Sequence, residues 1–564
     1  MNFKEMPYTR PNMEEYKAKF NECLERFSNA ESFEEANNLM KEINDLRGQF
    51  ETSAAIVTIR HTIDTTDKFY EEEQGFFDEN FPVYEGLSSK YYRVITKSKF
   101  KDELKKEWKE QLFNIASLAE KTFSEEIIED LQMQNKLAGE YTKLVASAKI
   151  DFEGEERNLA QMTPFQLSKD RDMRKKASEA KFNFYKEHQE EFDENYDKLV
   201  KTRTKMAKKL GYENFVQLGY YRLNRTDYTA EQVANYREQV RKYIVPLAEE
   251  LKKRQAKRLG LESLKYYDES FKFLSGNATP KGDADWIIEN GKKMYNELSE
   301  DTGKFFNYML DNNLMDLVSK KGKAGGGYCH YMMQYEAPFI FSNFNGTSGD
   351  VDVLTHEAGH AFQAYSSRRY KVPEYNFPTY EASEIHSMSM EFLTWPWMEL
   401  FFKEDTDKYK FSHLSAAILF IPYGVTVDEF QHFVYENPDA TPEERRKAWR
   451  EIEMKYAPSK DYDGYDFLEN GGWWFGQRHI FEMPFYYIDY TLAQVCALQF
   501  WKKANEDREK AWKDYINLCN EGGSESFLNL VKRAGLQSPF EDGCLESIIE
   551  DVKKYLDSVD DTKL

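Results

Sequence analysis

Cysteine is scarce in this chain, and the few cysteines are not arranged in pairs. Five are spread over 564 residues, and no two of them form a C-x-x-C motif. Disulfide-stabilised secreted domains carry closely spaced cysteines in even numbers, and cysteine-ligated zinc sites need paired thiolates. The spacing therefore indicates neither a disulfide framework nor a cysteine-ligated metal, and it is typical of a protein whose thiols stay reduced.

The chain also lacks a long hydrophobic run. Residues 1–10 have no apolar core of the kind that a signal peptide needs. The most apolar stretch, residues 416–422, is far shorter than the roughly 18 residues that predict a membrane-spanning helix. We therefore expect a soluble, cytoplasmic protein with no membrane partner.

Basic residues are fewer than acidic residues. The sequence has 77 lysines and arginines against 99 aspartates and glutamates, which gives a formal net charge of −22. Such a surface repels the phosphates of nucleic acids, so no nucleic-acid partner is expected. The glycine-rich residues 321–327 are followed by no G-K-[ST] and contain no G-x-G-x-x-G, which excludes the usual phosphate and dinucleotide motifs. The sequence gives no indication of oligomeric state.

One short motif stands out against these absences, His356-Glu357-Ala358-Gly359-His360. On a helix, residues four apart share a face, so the two histidines can hold one divalent metal ion with Glu357 beside its open side. Apolar residues flank the motif, which predicts a buried helix rather than a surface helix. The alternative is a core helix whose two histidines are only hydrogen-bonded.

A hydrolytic zinc site usually takes a third protein ligand and leaves its fourth position for water. Glu374, Glu381, Glu384 and Glu391 follow the motif at suitable distances along the chain. A second helix is predicted over residues 381–391, where steps of three and four bring carboxylates to one face. Spacing alone does not choose among the four.

Most of the remaining chain has the periodicity of helices. Residues 13–27, 33–47, 51–70 and 100–147 predict an N-terminal helical lobe, with a break at Pro82. A small hairpin is predicted near residues 150–159, and we place the domain boundary there, between a lobe at 1–150 and a catalytic region at 151–564. Residues 328–335 and 338–343 predict strands of a small sheet beside the motif helix.

Three separated segments resemble one family. These are the motif itself, Ser383-Glu-Ile-His-Ser-Met-Ser-Met-Glu391, and His479-Ile-Phe-Glu-Met-Pro-Phe-Tyr-Tyr-Ile-Asp-Tyr490. Together they resemble the thimet oligopeptidase and oligoendopeptidase F group of zinc metallopeptidases, most closely its bacterial oligoendopeptidase F and Pz-peptidase branch. The resemblance implies a mainly α-helical, two-lobed zincin-type fold with a deep central channel. It also implies one Zn²⁺ per chain, held by His356, His360 and Glu384.

The resemblance assigns further roles. Glu357 becomes the general base that takes a proton from a metal-activated water, and Glu391 becomes an outer partner of the metal ligands. His479 and a tyrosine become donors to the oxyanion, with Tyr490 favoured and Tyr486 and Tyr487 carried over as substrate-binding. In related zinc peptidases the strand before the motif helix pairs with the peptide. That relation predicts substrate contacts for three residues of the strand over 338–343: Phe339, Phe341 and Asn343.

The predicted activity is therefore hydrolysis of internal bonds in short oligopeptides. The likeness to Pz-peptidases adds collagen-derived peptides rich in proline and glycine as one substrate class. Two alternatives stay open. A zinc aminopeptidase is disfavoured because no G-x-M-E-N stretch is present to capture a free amine. A non-catalytic peptide-binding protein with structural zinc is disfavoured because such a site needs no general base.

Overall fold

The computed structural model describes all 564 residues, and α-helices dominate it. Apolar residues recurring every three or four positions give each long helix a face to bury. The first part of the chain contains these helices: α1 Met13–Ser28, α2 Phe33–Ile63, α3 Lys68–Thr96, α4 Lys101–Trp108, α5 Glu110–Thr122 and α6 Ile128–Ala146.

A short hairpin, β1 Ile150–Phe152 with β2 Glu155–Arg157, follows and confirms the predicted turn. Helices then resume up to the central sheet. They are α7 Thr163–Gln166, α8 Arg171–Glu187, α9 Gln189–Lys209, α10 Phe215–Arg222, α11 Ala230–Gln239, α12 Val245–Arg258, α13 Ala284–Leu298 and α14 Glu300–Asp311.

The last third of the chain is helical again. It contains α15 Gly349–Ser367, α16 Tyr380–Leu393, α17 Glu399–Phe402, α18 Thr406–Glu436, α19 Pro442–Tyr456, α20 Asp466–Glu469, α21 Arg478–Glu482, α22 Tyr487–Glu506, α23 Arg508–Glu521, α24 Phe527–Arg533 and α25 Cys544–Ser558. The main core, 113 buried apolar residues, runs from the first residues of the chain to α25. Two smaller cores belong mainly to α1–α5. The boundary at residue 150, the two lobes and the channel stay predictions.

The central sheet has three strands in the order β3-β5-β4. They are β3 Met315–Val318, β4 Tyr328–Met332 and β5 Ala337–Phe344. β5 pairs in parallel with β3 and antiparallel with β4, so it is the central strand. β4 and β5 confirm the two predicted strands, whereas β3 and the two helices before it were not predicted.

The position of β5 corrects the predicted peptide contacts. Phe339 and Phe341 are buried at 1% and 0% exposure, and the Asn343 amide donates to the Ala324 and Gly326 carbonyls. Because both edges of β5 are already paired, a peptide strand cannot add there. The two outer strands of the sheet, β3 and β4, each have an unpaired edge. The prediction was wrong because strand order is set by long-range pairing, which the sequence pattern of one strand does not report.

The proline at position 82 does not break a helix. α3 continues through Pro82, and the break falls earlier, where Asp67 accepts hydrogen bonds from the first backbone N–H groups of α3. Phe77, Tyr84 and Leu87 are buried on either side of the proline. Their burial offsets the hydrogen bond that a proline removes, which is a tertiary effect that outweighs local propensity.

One helical stretch is long and apolar enough, by length and composition alone, to span a membrane. It covers Glu399–Glu436, and 67% of its most apolar window is buried inside the protein. Burial of that extent is typical of a helix at the centre of a large core.

Candidate metal centre

The site is built where α15 and α16 pack closely together. Gly359, inside the motif, is the point of closest approach: a Cβ there would lie 2.6 Å from the His386 carbonyl oxygen. Only glycine leaves space for that backbone contact. The close packing brings Glu384 of α16 toward both histidines of α15. His386 itself is fully buried, with Nδ1 against the Ala382 carbonyl.

This contact predicts that two glycine-to-alanine variants differ in stability and in zinc binding. Gly359→Ala forces the two helices apart, so we expect a loss of about 1–3 kcal/mol in the free energy of unfolding together with weaker zinc binding. Gly139→Ala is the matched control, because a Cβ added to that glycine of α6 would have nothing within 4 Å of it. Melting curves and zinc titrations of both variants test the prediction. A Gly359→Ala protein that melts and binds zinc like the parent would contradict it.

Three ligand atoms converge from the two helices. Glu384 Oε2 lies 3.3 Å from His356 Nε2 and 3.6 Å from His360 Nε2. Ligand atoms on a tetrahedral zinc ion, at bond lengths near 2.0–2.1 Å, are about 3.3 Å apart. Two imidazole nitrogens and one carboxylate oxygen are also a donor set that zinc accepts. The residues present therefore fit a zinc ion, and they leave one coordination position free of protein ligands.

The four candidate carboxylates have four different environments. Glu374 forms an ion pair with Arg47 of α2, at 2.6 Å, and Glu384 meets the histidines. Glu391 accepts a hydrogen bond from His356 Nδ1 at 2.7 Å. Glu381 is buried at 1% exposure, and neither of its carboxylate oxygens has a hydrogen-bond partner. The structure thus distinguishes four residues that spacing left equivalent.

Glu381 lies in a buried cluster that holds more acid than base. Arg225 pairs there with Asp489, at 2.5 Å, which leaves Glu381 as a second carboxyl without a cation of its own. Burial raises the pKa of Glu381, and the Asp489 carboxylate raises it further. The folded protein therefore retains a proton that the unfolded chain releases.

This retained proton makes the stability of the folded protein depend on pH. Stability falls as pH rises from about 4.5, the usual glutamate value, through neutral pH, because only the unfolded chain ionises freely. Glu381→Gln removes this cost, so its melting temperature should exceed that of the parent by an amount that grows with pH. The gain in the free energy of unfolding should reach the order of 1–3 kcal/mol at mildly alkaline pH. Thermal melts of both proteins across this pH range, at one scan rate, test the prediction. An equal gain at all pH values would argue against it.

Glu391 holds one of the candidate metal ligands, His356, in place. Besides His356, its carboxylate accepts a hydrogen bond from His413 Nε2 of α18 at 2.7 Å. Burial works against ionisation, but these two hydrogen bonds lower the pKa of Glu391 to about 2. A charged acceptor on Nδ1 leaves Nε2 of His356 free to bind metal. The sequence interpretation missed His413, because a lone histidine 22 residues after Glu391 carries no motif.

Glu391→Gln should weaken zinc binding without removing the site. Loss of an outer partner of a ligating histidine typically lowers metal affinity by about 10–100-fold. Competition with a chromophoric chelator measures the affinity, and turnover at saturating zinc should stay close to that of the parent. An unchanged affinity would show that the Glu391 charge does not support His356.

Glu357 lies between the ligands and the sheet. Its side chain is 8% exposed, and one carboxylate oxygen lies 3.5 Å from the position of a Cβ on Gly327, just before β4. Burial raises the pKa of Glu357, while the charges of the two adjacent histidines oppose the shift. The glycine-rich turn over 321–327 therefore passes beside the carboxylate that the motif assigns as base.

The predicted donors form one aromatic cluster. The His479 ring lies 5.6, 5.0 and 5.9 Å from the rings of Tyr486, Tyr487 and Tyr490. The Tyr486 hydroxyl donates to Glu384 Oε1 at 3.4 Å, which places the cluster against the ligands. Burial raises the pKa of Tyr490 to about 12, so its hydroxyl stays protonated at neutral pH. Tyr486 is tied to Glu384, whereas the Tyr490 ring packs against both Tyr486 and Tyr487.

A helix that carries H-E-x-x-H, with a glutamate supplied by a second helix, is the arrangement of a class of metal-dependent hydrolases. The comparison with known proteins is more specific. Residues 165–278 and 290–549 match the model of peptidase family M3, and residues 3–123 match that of the peptidase M3 N-terminal domain. The chain belongs to peptidase family M3.

Individual relatives agree with this assignment. The chain is 63% identical to a solved structure of PZ peptidase A with inhibitor 2, with a TM-score of 0.94 and complete coverage of both chains. It is 25% identical over 242 residues to an oligoendopeptidase F homolog of Borreliella burgdorferi, and 23% identical over 426 residues to the group B oligopeptidase PepB of Streptococcus agalactiae. Those matches span 41% and 71% of this chain and 39% and 67% of the relatives. The mainly helical fold and the predicted resemblance to the oligoendopeptidase F and Pz-peptidase branch are confirmed.

Proposed function

We propose that the protein is a zinc-dependent endopeptidase that hydrolyses internal bonds of short peptides. One observation carries the proposal: Glu384 faces both motif histidines with one oxygen and the Tyr486 hydroxyl with the other. The candidate metal ligands therefore lie directly beside a hydrogen-bond donor of the tyrosine cluster. Membership of a peptidase family supports the same reaction class.

His356, His360 and Glu384 would hold the zinc ion, and Glu391 would hold His356 in place. When bound, zinc at such a site polarises the scissile carbonyl and lowers the pKa of a water molecule toward neutrality. The chemistry fits a native zinc, although the same donor set accepts other divalent ions.

Glu357 is assigned as the group that moves the proton. Its carboxylate takes a proton from the attacking water while the new C–O bond forms at the scissile carbonyl. The same carboxyl then gives that proton to the leaving nitrogen as the C–N bond breaks. The buried position of Glu357 suits a group that must alternate between its charged and neutral forms.

His479 and a tyrosine are assigned to the oxygen that becomes negative in the transition state. Donors fixed before reaction stabilise that charge without reorganisation, which is where most of their effect on rate arises. Tyr490 stays the proposed tyrosine, because the family resemblance favours it and the Tyr486 hydroxyl is engaged with Glu384.

The unpaired edge of β4 is proposed to align the peptide backbone. β4 begins next to Gly327, whose backbone approaches Glu357, and it pairs on one side only. An extended peptide that adds to this edge would place a carbonyl beside the base. We further propose short, unstructured peptides as substrates in a cytoplasmic location, and collagen-derived peptides as one class that the PZ peptidase likeness suggests.

Digestion of peptides blocked at both ends tests the function and its main alternative. An endopeptidase cleaves such peptides internally, and mass spectrometry of the products locates the bonds. An aminopeptidase requires a free amino terminus, so absolute dependence on that terminus would overturn the proposal. The absence of any cleavage in the zinc-loaded protein would instead favour a non-catalytic binding protein.

A further inference from the structure

A series of hydrogen bonds links His479 to Gln477 and Tyr423, and the proposed reaction does not itself require it. Gln477 lies two residues earlier, and its side-chain Nε2 is 2.9 Å from His479 Nδ1. The other end of the same amide, Oε1, accepts a hydrogen bond from the Tyr423 hydroxyl at 2.6 Å. Tyr423 belongs to α18 and Gln477 precedes α21, so two distant segments meet at this amide.

The direction of these hydrogen bonds is set where Tyr423 meets Gln477. An amide oxygen can only accept, so the Tyr423 hydroxyl donates its proton to Gln477 Oε1. With Oε1 occupied, the amide presents its N–H₂ group to His479. An amide nitrogen also only donates, so Nδ1 must accept.

A neutral imidazole that accepts at Nδ1 carries its single proton on Nε2. Burial and the nearby Arg478 charge lower the pKa of His479, which keeps the ring neutral at physiological pH. His479 Nε2 has no hydrogen-bond partner in the protein. It is not one of the buried atoms that lack a partner, so solvent can reach it. The Nε2 proton is therefore free to be donated, and the ring that carries it packs against the three tyrosines beside Glu384.

We propose that Gln477 is a positioning residue which, supported by Tyr423, holds His479 in the tautomer that can donate from Nε2 to the substrate's carbonyl oxygen. This inference rests on the proposed function, in which His479 is a donor to the developing oxyanion. The opposite tautomer would direct a lone pair at that oxygen and repel it. The amide thus decides whether the same imidazole helps or hinders the reaction.

Gln477→Glu reverses the direction of the hydrogen bond to His479 Nδ1 with almost no change in the shape of the side chain. A carboxylate can only accept, so it draws a proton onto Nδ1 and leaves Nε2 as an acceptor once the ring is neutral. We expect kcat to fall on the order of 10²–10³-fold at alkaline pH, the loss typical of one oxyanion donor, with little change in KM. Tyr423→Phe, which removes only the outer hydroxyl, should cause a smaller loss. Gln132→Glu on the exposed face of α6 is the matched control and should behave like the parent.

Two-bond ¹H–¹⁵N spectra of histidine-labelled protein report the tautomer directly, and a His479 variant identifies the signal among the nine histidines. We expect a protonated Nε2 in the parent and a protonated Nδ1 in Gln477→Glu. A protonated Nδ1 in the parent would overturn the inference. If the proton moves in Gln477→Glu while kcat stays unchanged, the catalytic part of the inference fails, and the fault lies with the donor role of His479. Neither result depends on whether Glu357 and the metal are required, which separate measurements establish.

Discussion

Glu357→Gln should leave a folded, metal-loaded protein with almost no turnover. The amide has the volume of the carboxylate but cannot take a proton from water or deliver one to the leaving nitrogen. General acid-base groups contribute up to about 10⁴-fold to rate, and Glu357 serves both proton transfers, so a loss on the order of 10⁴ is expected. The proposed metal ligands are His356, His360 and Glu384, so zinc content should stay at one ion per chain.

Turnover of a blocked peptide, measured beside zinc content and a melting curve, tests this expectation. Glu399→Gln is a suitable control, because Glu399 is an exposed glutamate of α17 and lies outside the site. Parent-like turnover in Glu357→Gln would remove the assigned base. Loss of zinc in this variant would show that the carboxylate supports the metal rather than the proton transfer.

Glu384→Ala should abolish the metal centre. Glu384 Oε2 is the only carboxylate oxygen that lies close to both histidine Nε2 atoms, and its removal leaves two ligands. We expect zinc affinity to fall by more than the 10–100-fold that loss of an outer partner costs, with turnover lost in parallel. The fold should persist, because α16 stays buried against α15 and α22.

The alanine variant also removes the hydrogen bonds that Ser387 and Tyr486 make to Glu384. Glu384→Gln separates the two effects better, since the amide keeps the shape of the side chain and its oxygen still accepts one of those hydrogen bonds, but it is a weak zinc ligand. Both variants should lack stoichiometric zinc after dialysis. Retention of tightly bound zinc by Glu384→Gln would place the third ligand elsewhere, and Glu391 would be the first candidate to examine.

The two helices of the candidate metal centre were predictable because their signals are local. The H-E-x-x-H spacing places two imidazoles on one helix face, and α15 confirms that helix. The second helix was predicted from carboxylates at steps of three and four, and α16 confirms it. The choice of Glu384 came from a family resemblance, since helical spacing treats Glu381 and Glu391 equally. Close packing at Gly359 brings Glu384, rather than Glu381 or Glu391, toward both histidines. No pattern in the sequence reports this packing.

Interactions between distant segments were not predictable from the sequence. His413 meets Glu391 only because α18 crosses α16, and Tyr423 meets Gln477 only because the chain returns after 54 residues. The strand that would receive a peptide was misjudged for the same reason: β5 is apolar and precedes the motif helix, but pairing on both sides makes it central. Each of these features depends on tertiary contacts rather than on periodicity.

Titration of metal-free protein with zinc tests the central claim most directly. We predict that cleavage of a doubly blocked peptide is absent without metal and rises in proportion to zinc. It should reach its plateau at one ion per chain, with no such recovery in Glu384→Gln. Full cleavage by the metal-free protein, or recovery in Glu384→Gln equal to that of the parent, would contradict a reaction centred on His356, His360 and Glu384.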